Sequence, residues 1–256
     1  MKIKYIIGIL IIWGLISCSD RDENQEPTYG KVNVALSVTL PEPENVHSLA
    51  RSYTDSEIKN VDVLVFDEDG KFMERVKVDG GELTPSGTEI SFSIRLDATS
   101  KRRVIHLVTN GRSPDGGTDR LNFNDITSGM LESAAIPALG TTAMIFGSLE
   151  DQVMPLIMWG RVELPTGINI VTKADGVKLL RVAACVQVKK GVGDATNGLN
   201  DFIIQSVTVD KGFDRGYLTP ANYSTVVTPV TGRPLSGSTL NYANGWSDGE
   251  TPSLYI

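Results

Sequence analysis

The chain has 256 residues, a net charge of −7 and a hydrophobic fraction of 41%. That is enough for one large or two modest domains, and the acidic balance argues against nucleic acid as a partner. With two cysteines and two histidines, His47 and His106, it cannot build a disulfide framework, and a histidine-rich zinc centre is not expected.

The first element is an export signal. Lys2 and Lys4 precede an apolar run over 6–16. A run of that length falls within the roughly 7–15 residues of a secretory h-region and below the roughly 18 that cross a bilayer. Leu15-Ile16-Ser17-Cys18 is similar to the lipobox of bacterial lipoproteins. That resemblance implies acylation of the Cys18 thiol and removal of residues 1–17. Asp20, Asp22, Glu23 and Glu26 then make 18–30 an acidic, self-repelling tether. The acidic cluster also resembles the signal that displays lipoproteins of the Bacteroidota on the outer face of the outer membrane.

Residues 31–40 alternate strictly, with Val32, Val34, Leu36, Val38 and Leu40 on one face, the period of a half-buried strand. A polar loop, "PEPENVHSLARSYTDSE", follows, and Arg51 is its one basic residue between Lys31 and Lys59. Strands are predicted over 61–66, 90–96, 104–108, 168–172, 180–188, 203–209 and 225–230. Turn chemistry separates them at "DEDGK" (67–71), "DGGE" (79–82), "SPDGG" (113–117) and "KADG" (173–176). One short helix is predicted near 125–133. Many strands with antiparallel turns imply an all-β chain of β-sandwich architecture. The turn-rich 162–178 region places a boundary between an N-terminal sandwich, 31–165, and a second β-domain, 166–256. The second has about four strand candidates where a sandwich wants about seven, so it reads as incomplete. The chain ends on "PSLYI", which looks like the start of a strand.

Chemistry-bearing patterns are weak. "DEDG" lacks the later glutamate of an EF-hand and reads as a hairpin turn. Asp115, Asp119 and Asp125 read as a solvated loop. Trp159 reads as core, whereas Trp246, in "NYANGWSDGE", is more open to a binding role. Cys185 is a lone thiol with no histidine partner. No nucleophile elbow, phosphate loop or carboxylate pair is present, so no enzymatic activity, metal or cofactor is expected.

"MPLIMWGRVELPTGIN" followed by "VKLLRVAACVQVKK" resembles the fimbrillins of the Bacteroidales, the FimA-like fimbrial subunits. The matching positions are Pro155, Met158, Trp159 and Gly160, then Leu179 or Leu180, Arg181, Ala183 or Ala184, and Val186. Cys185 stands where the family often has lysine. The resemblance implies two transthyretin-like β-sandwich domains and a structural subunit of a surface fimbria that mediates adhesion. It implies export as a lipoprotein, then cleavage by an arginine-specific protease in the loop after the first strand, here between Arg51 and Ser52. The lipidated strand 31–40 leaves, and a strand of the next subunit fills the vacated groove. Such head-to-tail contacts do not close, so they build a filament. The expected partners are other fimbrial subunits, the outer membrane through lipid, and a host or bacterial surface receptor. The alternatives are a glycan-binding surface lipoprotein and a fimbrial anchor that is not cut.

Overall fold

The computed structural model describes residues 29–41, 57–139, 155–182, 185–187, 218–220, 223 and 253–255. Along the chain run β1 (Tyr29–Thr39), β2 (Asn60–Phe66), β3 (Phe72–Asp79), β4 (Thr84–Ser86), β5 (Glu89–Ala98) and β6 (Arg103–Thr109). Helix α1 (Glu132–Leu139), β7 (Met158–Leu164), β8 (Lys173–Lys178), β9 (Leu180–Arg181), β10 (Cys185–Gln187) and β11 (Ser253–Tyr255) follow. One sheet has the order β4-β5-β1-β8, a second β3-β2-β6-β7-β9, and β10 pairs with β11.

The two larger sheets differ because their sequences differ. β5 alternates buried and exposed residues along its length, so it covers the core with one face and meets water with the other. β2 and β6 are buried at every position. Such strands must be covered twice. On one side Val63, Ile105 and Leu107 meet Leu36, Phe92 and Ile94 of the first sheet. On the other, Leu64, Val104 and Trp159 lie beneath Phe123, Ile136, Leu139 and Leu218. The result is three layers: sheet, sheet, and a cover of helix and loops.

Several expectations shift. The predicted helix over 125–133 is replaced by a 3₁₀ turn at Phe123–Asp125 and by α1, which starts later, at Glu132. Gly129, at φ +82, takes a left-handed conformation that no helix contains, so the two cannot join. Residues 169–172 form a turn rather than a strand. "KADG" (173–176), expected to turn, begins β8, a non-local parallel partner of β1. The predicted strand over 180–188 falls into β9 and β10, which belong to different sheets. The first sandwich also runs past residue 165. Ile168, Ala174, Val177 and Leu179 lie in its inter-sheet core, so this stretch packs as part of that sandwich. The turn signals at 162–178 mark a loop inside the sandwich, not a linker. The predicted strands over 203–209 and 225–230 lie outside the described residues, while "PSLYI" does contribute β11.

Gly160 explains part of the "MWG" pattern. A Cβ there would stand 3.0 Å from the Lys178 carbonyl oxygen and 3.1 Å from Leu179 Cδ2, where the chain crosses from β8 to β9. The glycine lets the two sheets approach at that corner.

Candidate functional site

The site is the slot that β1 fills. Val34, Leu36 and Val38 are 0–1% exposed, and Val32 and Leu40 pack half-buried on the same core. Burying three such side chains contributes roughly 1.5–3 kcal/mol each. β1 is an inner strand. It pairs antiparallel with β5, Val34 opposite Ile94 and Leu36 opposite Phe92, and parallel with β8, Leu36 opposite Ala174 and Val38 opposite Val177. The five alternating residues predicted to share a face thus form one inward ridge.

The β8 side carries an irregularity. Between Leu36 and Val38 the register shifts by one residue, and Gly176 takes φ +65. Ser37, on the outward face, is nonetheless buried at 3%. Its hydroxyl accepts the Gly176 N–H at 2.7 Å and donates to the Glu89 carboxylate. This single polar latch ties β1 to both neighbours. Periodicity cannot reveal it, because Ser37 reads as an ordinary solvent-facing residue.

The C-terminal end of β1 is held on both sides. The Leu40 N–H donates to Thr88 O at 2.9 Å, and the Leu179 N–H donates to Thr39 O at 3.1 Å. After Pro41 the next described residue is Glu57. There Asn110, fully buried at φ +55, fixes the chain. Its side-chain oxygen accepts the Lys59 N–H at 2.8 Å, and its amide donates to Glu57 O at 2.9 Å and Leu156 O at 2.7 Å. One side chain therefore secures the chain at Glu57 and Lys59, just after the segment that contains Arg51. The only hint in the sequence is the Asn110-Gly111 pair, a turn signal. Cys18, Arg51, Ser52, His47 and Trp246 lie outside the described residues. Cys185 lies in β10.

Two polar clusters lie on the covered face of the second sheet. In the first, Asp62, fully buried, accepts from Arg75 Nε at 2.8 Å and lies 3.3 Å from Arg112 Nε. Arg75 grips Asp119 with two bonds and stacks 3.5 Å over the Phe123 ring. Asp119, expected in a solvated loop, is thus an internal ion-pair partner. In the second, Trp159 Nε1–H donates to His106 Nδ1 at 2.9 Å. An indole nitrogen can only donate, so Nδ1 must accept, and His106 is neutral with its proton on Nε2. Nε2–H then donates to Glu132 Oε1 at 2.7 Å, which Arg161 Nε also reaches at 2.7 Å. Burial holds the His106 pKa below its ordinary 6.5, outweighing Glu132. Burial also opposes ionisation of Glu132. The bonds from His106 and Arg161 win, however, and hold its carboxyl at about 2. Tyr223 caps the group, its hydroxyl donating to Glu132 O at 3.0 Å.

Every polar group in these clusters serves a neighbour of its own chain. Asp67 likewise accepts the Asp69 and Lys71 N–H groups at 2.9 and 2.8 Å, the hairpin turn read from "DEDG". Trp159 is core, 1% exposed. Among the described residues, no group of three or more His, Cys, Asp or Glu side chains could hold a metal ion. What the arrangement can do is hold a strand by two backbone ladders and an apolar ridge.

The fold defines a class, the two-sheet β-sandwich proteins. The chain belongs to the family of fimbrillin-A associated anchor proteins Mfa1 and Mfa2, whose model matches residues 23–188. No curated protein matches it. Among solved structures it is similar to a fimbrial assembly protein from Parabacteroides distasonis, at 16% identity and a TM-score of 0.50, over 88% of this chain and 76% of that one. The C-terminally truncated tip fimbrial protein Mfa3 from Porphyromonas gingivalis matches at 13% identity and a TM-score of 0.49, over 88% and 67%. A fimbrilin of the same species matches at 16% identity and a TM-score of 0.36, over 60% and 41%.

Proposed function

We propose that the chain is a component of a cell-surface fimbria that joins other subunits through the β1 slot, with no catalytic role. It is exported as a lipoprotein acylated on Cys18 and held at the outer membrane. The observation that carries this reading is the placement of β1. A strand bonded on both edges, with a continuous buried ridge, leaves a slot of defined register when it departs. Its loss exposes two unpaired strand edges, and an incoming strand with alternating apolar residues satisfies both. The place of Arg51 in the polar sequence that follows β1 supports release by cleavage at Arg51–Ser52. Asn110 supports it too, since it would hold the chain from Glu57 onward while the strand leaves.

A second reading is favoured by the family match, which is to anchor proteins. An anchor keeps its lipid and therefore keeps β1. Digestion of the full chain with an arginine-specific protease, terminal sequencing and electron microscopy separate the two. A new terminus at Ser52, loss of residues 18–51 and growth of filaments mark a shaft subunit. A chain that stays intact and terminates filaments of another subunit marks an anchor. If the chain is cut and its slot takes no strand from any subunit, both readings fail.

A further inference from the structure

One end of the sandwich carries an apolar tip that the slot does not use. The 165–172 loop joins β7 to β8. Its root is clamped, with Thr99 and Ile168 exchanging backbone hydrogen bonds of 2.8 and 2.7 Å. Gly167, at φ +78, lies so close to Thr99 that a Cβ would sit 2.1 Å from its carbonyl oxygen. Its crown is a self-satisfied turn. The Asn169 side chain accepts the Val171 N–H at 2.9 Å, and the Thr172 hydroxyl accepts the Asn169 N–H at 2.8 Å. With its polar groups spent internally, the turn presents Ile170 and Val171 outward, 83% and 77% exposed. Among the described residues the other exposed large apolar side chains, Met73 and Leu131, are single and reach only 39% and 51%. Scattered exposed apolar residues need no explanation, but an adjacent pair at the tip of a fixed loop does.

The topology says what faces this tip. β1 begins at Tyr29 opposite Ala98, beside Thr99 and therefore beside the loop. β8 runs parallel to β1 away from the loop, and β9 and Val182, bonded to Ile157 O, leave from the opposite end. The segment that leads back to Cys18 thus departs at the apolar tip, and the chain after β9 departs at the far end. Residues 19–28 separate Cys18 from Tyr29, a span of at most roughly 40 Å. A lipid on Cys18 would turn this end toward the bilayer. Lys101, Arg102 and Lys173 stand at the same end, paired with Glu68, Glu163 and Asp175.

We propose that the 165–172 loop is a membrane-contacting foot, with Ile170 and Val171 entering the interfacial layer of the lipid surface to which the chain is tethered. The proposal rests on the lipoprotein reading of Cys18. It adds a second, non-covalent contact to one anchor and fixes the sandwich with the end where the chain leaves β9 facing away from the membrane.

The test uses the full chain, processed by its own export signal and reconstituted in vesicles of phosphatidylethanolamine and phosphatidylglycerol. Ile170→Trp places a fluorophore at the tip. Gly81→Trp places one at the opposite end, where an added Cβ meets nothing within 4 Å. Lipids brominated near the headgroup should quench the Ile170→Trp emission at least twofold more than that of Gly81→Trp, after subtraction of the parent signal. Ile170→Trp emission should shift to the blue only when vesicles are present. Equal quenching of the two variants overturns the proposal. So does a blue shift without vesicles, which would mean that protein, a second copy or a partner, covers the tip. The mass of the amino-terminal peptide is read in parallel. An acylated Cys18 with an unquenched tip sinks the foot alone, and an unacylated Cys18 sinks the lipoprotein reading and the foot with it.

Discussion

Asn110 shows how much one buried side chain can fix. It closes three hydrogen bonds to two segments distant in sequence, in a left-handed conformation that alanine accepts poorly. Asn110→Ala leaves three backbone groups unpaired, the buried Leu156 carbonyl among them, and we expect a loss of about 2–4 kcal/mol in urea unfolding. The His106 group makes a second expectation, in pH. Burial keeps His106 neutral in the fold, whereas the unfolded chain binds a proton below 6.5. Stability is therefore full above that value and falls as pH drops through it. Glu132 acts in the same direction, its share being lost between its ordinary 4.5 and about 2. Urea midpoints should be flat above pH 7, decline below 6.5 and decline further below 4.5. Trp159→Phe removes the donor that occupies Nδ1, so the His106 titration followed by nitrogen NMR should move upward. An unmoved titration would refute the tautomer argument.

At the scale of elements, β1 matters most. Leu36→Ala empties a fully buried position between Phe92 and the second sheet, and we expect a cost of about 2–5 kcal/mol by chemical denaturation. Asn33→Ser, on the exposed face of the same strand, should cost less than about 0.5 kcal/mol. Similar losses at the two sites would mean that the ridge is not packed as described. The crossing from β8 to β9 gives a further test. Gly160→Ala drives a methyl against the Lys178 carbonyl, and the two sheets must part by a few tenths of an ångström, costing about 1–3 kcal/mol. A melting temperature equal to that of the parent would show that the corner is loose.

At the scale of the described molecule, the chain enters β1 at one end of the sandwich and leaves β9 at the other. Much of this was legible in the sequence. β1 and β5 show the alternation of strands with one wet face, and "DEDG" shows its hairpin through an aspartate that bonds its own turn. Other parts were illegible for physical reasons. β8 reads as a turn because its strand character comes from β1, which precedes it by more than a hundred residues, and not from its own side chains. Ile168 to Thr172 read as a strand because apolar residues look alike in a core and at a loop tip. Only the bonds of Asn169 and Thr172 turn Ile170 and Val171 outward. The sequence by itself determined which faces are apolar and where the chain can turn, because those properties are carried by neighbouring residues. The tertiary structure alone decided which strands meet, that β1 lies inside its sheet, and that the loop tip shares an end with the start of β1. Those are contacts between segments far apart in the chain, and only packing can choose them.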